Sequence, residues 1–498
     1  MSQQEKPLKT SKMLRAKAQE FLANMQRTEC LQEIVGHFQS GNDTVSCLLT
    51  LEMLFTALLK DRIMHIEFVP FKTVEGYSDQ QYNDWIRSNY EGCFSKIVEC
   101  IGHESTKVQV QALSSAMNIL SYEGRYPLET KGNFEQYVPL QKLKHILMEI
   151  ISTKQNKSQI INKYTEYLMY DDILFFTWKV LPSLTAKTNP KDIYMVNYLM
   201  LLEKLQVTRN PETKILCAIN NDEFFTFDEG QTKKALNKIW QCIMRWEHTP
   251  QTHKQLLIVL LETLLPHLEK PLLLTDFLMD SLDIGGPVSL LALQGIFTMI
   301  QVHNLDYPNI FAKLYSMFEP EIFHTKYKAR LFYLSDLFLS STHLPENLVA
   351  AFAKRLARLA LIAPSEDVII ICHFIGNLIL RHPGLKCLLN STNLDPASTD
   401  PYIMEERDPL KSNAINSSLW EIQSLQQHYQ PSVATAARFI NSPLPSVEWD
   451  LSQVLDKNAD DIFDKEVKKH SKLIVLQFEK PNGPALAKGE KLMQFWDF

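Results

Sequence analysis

The sequence predicts an all-α chain built as a HEAT/armadillo-like helical-repeat solenoid, and three observations predict it. Apolar residues recur at spacings of three and four through most of the 498 positions, the period of a helix with one buried stripe. Gly is scarce, 15 against 24 Pro, whereas all-β and doubly wound folds draw on Gly for their turns. The helical stretches come as neighbours joined by short polar turns, and stacking such pairs buries a continuous core. No fixed consensus period emerges, so the repeat is one of pattern. A charged fraction of 22 % beside 45 % hydrophobic residues belongs to a folded protein rather than a disordered one.

The elements follow in order. Residues 1–65 predict two or three helices. Asp43 is placed as the N-cap of a helix whose Leu48, Leu51, Leu54, Phe55 and Leu58 share one face. The run Phe68-Val69-Pro70-Phe71 is a break. A helix is expected over 79–101, with Trp85, Tyr90, Phe94, Ile97 and Val98 inward, and a partner over 104–120. The alternation continues through 133–152, 156–168, 171–184 and 191–205. Residues 208–228 turn polar and irregular and are expected to be an interdomain loop or hinge. The stretches 229–246 and 250–265 form the next pair, with ends near Pro266 and Pro271.

The densest helical patterning runs from Gly285 to His382. Gly286-Pro287 supplies a stop and then a Pro at a first helical position. Further helices start at Tyr307-Pro308, Lys328 and His343-Leu344-Pro345. In the last of these Leu348, Phe352, Leu356 and Leu359 fall on one side, and Lys354, Arg355 and Arg358 on the other. Ser365 is expected to cap a helix so apolar all round that it must be buried on every side. Residues 395–408 make an acidic loop, 411–429 a helix, and 431–440 a short one. Beyond 441 the pattern weakens into a partly extended tail with a charged segment over 460–472. The expected organisation is therefore an N-terminal array over 1–207, the hinge over 208–228, a C-terminal region over 229–440 and a tail over 441–498.

Composition and spacing narrow the chemistry. The net charge is −6, so any nucleic-acid contact must be local or made by a partner. None of the eight Cys forms a CxxC pair, and most lie in apolar helical runs as reduced, buried thiols. No phosphate loop, GxSxG, HExxH or EF-hand spacing is present. The carboxylate pairs Asp171-Asp172, Glu405-Glu406 and Asp460-Asp461 are expected in loops or on solvated faces, and Cys372-His373 as a core pair without further metal ligands. No catalytic, cofactor or metal site is expected. Residues 284–305 carry no Asp, Glu, Lys or Arg, yet Gln294, Gln301 and Asn304 within them point to a buried helix rather than a membrane span. The N-terminal 22 residues lack an apolar signal core; Lys6, Lys9, Lys12, Arg15 and Lys17 there serve as a helix face or a weak localisation signal.

Two features are interaction candidates. Lys326, Lys328, Arg330, Lys354, Arg355 and Arg358 outweigh Asp336 and Glu346 locally, as a focused basic patch or as ordinary solvated faces. The second is the acidic loop with Tyr402, Glu405, Glu406 and Asp408, near Trp420 and Tyr429.

The wording of GGPVSLLALQGIF, NLDYPNIFAKLY, KYKARLFYLSDLFLSSTHLPENLVAAFAKRLARLALIAP, LILRHP and DPYIMEERDPLKSNAINSSLWEIQSLQQHYQPSV resembles the CCAAT-binding-factor-type domain of the nucleolar complex proteins, over about 285–440. Length and wording resemble the small-subunit branch of that family more than its large-subunit paralogues. The resemblance implies a non-catalytic scaffold of the small-subunit processome in the nucleus and nucleolus. It implies support of 18S rRNA maturation and 40S assembly and export, with nucleolar protein 14 and other processome proteins as partners. Pre-ribosomal RNA would be touched indirectly or through a local basic patch. The alternatives are a helical-repeat adaptor in transport or transcription, or a large-subunit paralogue.

Overall fold

The computed structural model describes residues 5–41, 43–65, 77–128, 137–208, 214–218, 225–305, 307, 309–389 and 400–473. The chain forms two compact units, Met1–Met299 and Ile300–Phe498. Apart from one isolated bridge between Tyr170 and Lys214, the described residues hold no β-structure.

The first unit holds α1 (Glu5–Ala23), α2 (Thr28–Gln39), α3 (Thr44–Lys60), α4 (Tyr77–Glu99), α5 (Thr106–Arg125), α6 (Leu140–Ile150) and α7 (Ser158–Tyr164). It continues with α8 (Asp171–Leu184), α9 (Asp192–Lys204), α10 (Glu229–Ile243), α11 (Pro250–Val259) and α12 (Thr275–Asp283), and α13 (Gly286–His303) carries the chain across the division. The packing order explains the fold. α1 touches α3, and from α3 to α9 each helix packs on the helix two places along: α3 on α5, α4 on α6, and so on to α9 on α11. Odd and even helices therefore lie in two layers, and each helix buries its stripe against its neighbours in the stack. Of the predicted inward residues, Tyr90, Phe94, Ile97 and Val98 are buried, and Trp85 is half-buried. Pro266 cannot donate to an extended α11, and the chain leaves that helix through a π turn over Leu260–Leu264 and a 3-10 turn over Leu265–His267.

Several sequence expectations are corrected here. Asp43 stands at the start of α3 but in a left-handed conformation, φ 49°, without a side-chain cap bond. Asp171 and Asp172 are not solvated; both are buried in the first turn of α8. The Asp172 carboxylate accepts the backbone N–H groups of Leu216 (3.1 Å) and Cys217 (2.9 Å). Burial pushes this carboxyl up, against the pull of those amides. The Asp171 amide donates to the Lys214 carbonyl, and the Arg125 guanidinium to the Leu216 carbonyl. Of 208–228, expected as an irregular loop or hinge, the described residues 214–218 are thus fastened to α5 and α8 inside the first unit.

The second unit holds α14 (Ile310–Ser316), α15 (Lys328–Phe338), α16 (Glu346–Ala360), α17 (Ser365–Arg381), α18 (Trp420–Leu425), α19 (Pro431–Ala437), α20 (Ser452–Leu455) and α21 (Ala459–Leu473). α16 and α17 pack on each other at its centre; α18 lies on α16, and α19, α20 and α21 on α17. Phe352 and Leu356 are fully buried as predicted. The Phe352 ring meets Tyr315 edge-on at 5.3 Å and Phe318 at 6.2 Å. At the start of α17 Pro364, not Ser365, holds the cap position, and Ser365 is the first helical residue.

The expected tail is corrected for its described part. The Asn377 amide donates to the Trp449 carbonyl (2.9 Å) and accepts from the Trp449 N–H (2.8 Å). Arg381 pairs with Glu448 and Asp336 at 2.6 and 2.7 Å. A side chain at Gly376 would put its Cβ 2.4 Å from the Trp449 ring, so the indole seats there only because position 376 lacks one. The charged segment 460–472 is helical, within α21. Residues 284–305 fall largely in α13, and among the described residues no helix is long and apolar enough to cross a membrane.

Candidate functional site

The site is built on α16, whose sequence ENLVAAFAKRLARLA was expected to present Lys354, Arg355 and Arg358 to solvent. The structure overturns that for two of them. Lys354 is 0 % exposed and Arg355 8 %; Arg358 is partly covered. Leu348, Phe352 and Leu356 cover one side of the helix, and Ala350, Ala353 and Ala357 among the cations are buried as well. Both faces of α16 are packing faces.

Lys354 Nζ donates to the Ser418 carbonyl (2.5 Å) and pairs with Glu421 (2.7 Å) and Asp400 (2.9 Å). Arg358 bridges the same carboxylates, with Nη2 2.6 Å from Asp400 and Nε 2.8 Å from Glu421. Its guanidinium lies 4.8 Å from the Trp420 ring centre, and the Trp420 indole N–H donates to Asp400 at 3.0 Å. Arg355 takes another route: Nε donates to the Phe318 carbonyl (2.8 Å), Nη1 to the Met404 carbonyl (3.0 Å), and its plane covers the Tyr315 ring. Glu421 is fully buried, and such a charge is tolerable only when paired.

The electrostatics follow from the donors. Burial pushes the Asp400 carboxyl up, but the Ser417 hydroxyl, the Trp420 indole, Lys354 and the Tyr402 amide more than offset it and hold it well below the usual carboxylate range. For Glu421 burial prevails over the two cations and its carboxyl is shifted up. Asp400 keeps some solvent contact and accepts more hydrogen bonds, which explains the opposite directions. The network is a clamp that ties the segment 400–421 to α16.

The other predicted site residues scatter. Tyr402 is buried, its hydroxyl 2.8 Å from that of Tyr315. Lys328 pairs with the buried Asp367 at 2.7 Å, while Arg330 and Glu405 are exposed. Glu406 accepts the Asp408 amide, and Asp408 accepts the Leu410 amide and pairs with Lys411. The loop expected to be a free acidic surface is thus partly engaged in its own turns. Beside Glu405 and Arg407, its exposed side chains include the apolar Ile403, 50 %, and Leu410, 56 %.

Glu421 was not among the predicted site residues, and Asp400 was expected only as the start of an acidic contact loop. A signal for them existed in the alanines interleaved with the α16 cations, since small residues on a nominally solvated face let another element approach closely. Cys372 is buried, His373 rests 5.7 Å from the Trp449 ring, and no group of three or more potential metal ligands occurs among the described residues.

Comparison with known proteins extends this picture along the chain. Residues 6–189 match the family described as Nucleolar complex protein 4-like, TPR repeats, and residues 289–437 match the CBF/Mak21 family. The first match names TPR repeats where HEAT/armadillo-like pairs were expected; both are stacked helix pairs. The second falls within the 285–440 of the sequence resemblance. Nucleolar complex protein 4 homolog A of Xenopus laevis is 36 % identical over 484 residues, 94 % of this chain and 92 % of that protein. The Gallus gallus homolog is 37 % identical over 89 % of this chain and 90 % of its own length. The Homo sapiens homolog is 34 % identical over 90 % of each. With likeness on this scale along nearly the full length of both partners, the chain belongs to the nucleolar complex protein 4 family.

Proposed function

We propose that the chain is a non-catalytic scaffold for assembly of the small ribosomal subunit in the nucleolus, acting within the small-subunit processome. The observation that carries the reading is the near full-length similarity to proteins named nucleolar complex protein 4 homolog. Stacked helices that present extended surfaces suit a protein that acts by binding. Its partners are nucleolar protein 14 and other processome proteins, and the process served is 18S rRNA maturation and export of the 40S precursor. No cofactor is invoked. The surface around 400–412 is the expected protein contact, because the clamp fixes a segment that presents Ile403, Leu410 and Glu405 outward, and exposed apolar side chains on a rigid support make good anchors.

Affinity purification of the tagged chain from nuclear extract tests this. Nucleolar protein 14 and 18S precursors should dominate the eluate, and depletion should lower 18S rRNA relative to large-subunit rRNA. Recovery of large-subunit precursors, or of transport or transcription complexes free of ribosomal RNA, would overturn the reading in favour of the corresponding alternative.

A further inference from the structure

α21 is charge-segregated. Asp460 and Asp461 occupy its first turn, where they complement the helix dipole. Lys465, Lys468, Lys469 and Lys472 then follow at spacings that place all four on one face, and all four are exposed. They span about 10 Å along the axis at ~1.5 Å per residue. Among the described residues the acid paired with this row is Glu466, 3.9 Å from Lys469. Lys465, Lys468, Lys469 and Lys472 line a surface depression of about 700 Å³ together with Asp461 and Asp464, which stand one turn before Lys465 and Lys468. Beside it opens a second cleft, about 870 Å³, that shares Lys465, Lys469 and Asp461 and has the half-buried Trp449 and His373, the buried Phe439, and the acids Glu366 and Glu466 in its wall.

We propose that this face binds single-stranded RNA, with phosphates along the lysine row and bases over the aromatic wall of the adjoining cleft. The inference deepens the ribosome-assembly reading by giving that scaffold a direct RNA contact. Four lysines gathered from Lys465 to Lys472 at one end of that helix face, past Asp461 and Asp464, on a chain whose net charge is −6, suit a polyanion. The row is wholly lysine, a point charge suited to a phosphate backbone, without the forked geometry by which arginine grips carboxylates. An aromatic-walled cleft beside a basic track is the arrangement on which single strands stack their bases, which a duplex keeps inside its helix.

The test uses the full chain and a variant with Lys465→Gln, Lys468→Gln, Lys469→Gln and Lys472→Gln, its fold checked by circular dichroism and melting. Exposed substitutions of this kind leave stability nearly unchanged. Fluorescence anisotropy is followed with a labelled 15-nucleotide single-stranded RNA, the matching duplex, and an oligoglutamate peptide of equal charge. The single strand should bind most tightly, with a log-log salt slope of about −2.8 for four phosphates at ~0.7 each, and the variant should lose at least tenfold in affinity and most of that slope. Absent binding, an unaffected variant, or equal affinity for the duplex would overturn the proposal. Tighter binding of oligoglutamate would overturn it by assigning the face to an acidic protein. These outcomes are independent of the purification experiment, so the RNA contact and the processome reading stand or fall separately.

Discussion

Replacing Lys354 by Met keeps the length and apolar stem of the side chain and removes its charge. Little cavity is made, so the change is electrostatic. In the wild type the ammonium is fully buried between Glu421 at 2.7 Å and Asp400 at 2.9 Å. In K354M the buried Glu421 keeps Arg358, at 2.8 Å, as its cation among the described residues, and the Ser418 carbonyl loses the Lys354 donor. Breaking a buried ion pair by deleting one partner costs about 3–5 kcal/mol. Since Arg358 remains, the lower end applies, about 3 kcal/mol. For a unit of roughly 200 residues each kcal/mol shifts the melting point by ~2–4 °C, so a fall of about 6–12 °C is expected by differential scanning calorimetry. Adding Glu421→Met should recover part of the loss, because the uncompensated charge goes with it. A melting point for K354M within about 1 °C of wild type would refute the clamp and return Lys354 to the solvated face that helical periodicity alone predicts.

Other perturbations test the same reasoning. Because the folded Asp400 carboxyl lies below its usual range, its stabilisation is complete above the unfolded value of about 4 and is lost as pH falls towards the folded value; D400N should melt lower at neutral pH and show a shallower acid limb, and parallel limbs would refute the assignment. Gly376→Ala sets a Cβ against the Trp449 ring and should cost about 1–3 kcal/mol; limited proteolysis should then release residues 442–473 more readily, and unchanged digestion would contradict that docking. Asp172→Ala strands the Leu216 and Cys217 amides at about 1–3 kcal/mol each, and hydrogen exchange should quicken at those two amides, whereas unchanged protection would mean the segment is held elsewhere. Phe352→Ala should lower stability by about 3–5 kcal/mol through the cavity it leaves, and a loss under 1 kcal/mol by chemical denaturation would mean that this aromatic cluster is not central to the second unit.

Much of the fold was legible because helical periodicity is local. α8 begins and ends, and α15 begins, at the residues that apolar spacing and their flanking turns predict, and Phe352 faces inward because Leu348, Val349 and Leu356, three or four positions away, are apolar. What was not legible depends on partners far along the chain. Asp172 finds its amides 44 and 45 positions on, Lys354 its carboxylate 67 positions on, and Asn377 the Trp449 backbone 72 positions on. In each case a polar side chain that looks solvated by its own helix is covered by a distant segment.

The sequence by itself determined the class of fold, the order of the helices and the family, since each is written in local spacing or in wording. Only the tertiary structure decided which charges are architecture and which are surface. A lysine on α16 and a lysine on α21 carry the same signal in one dimension. The first is desolvated between two carboxylates and holds the second unit together, and the second stands exposed to water. That difference is a matter of dielectric surroundings and partner geometry, which exist only once the chain has folded.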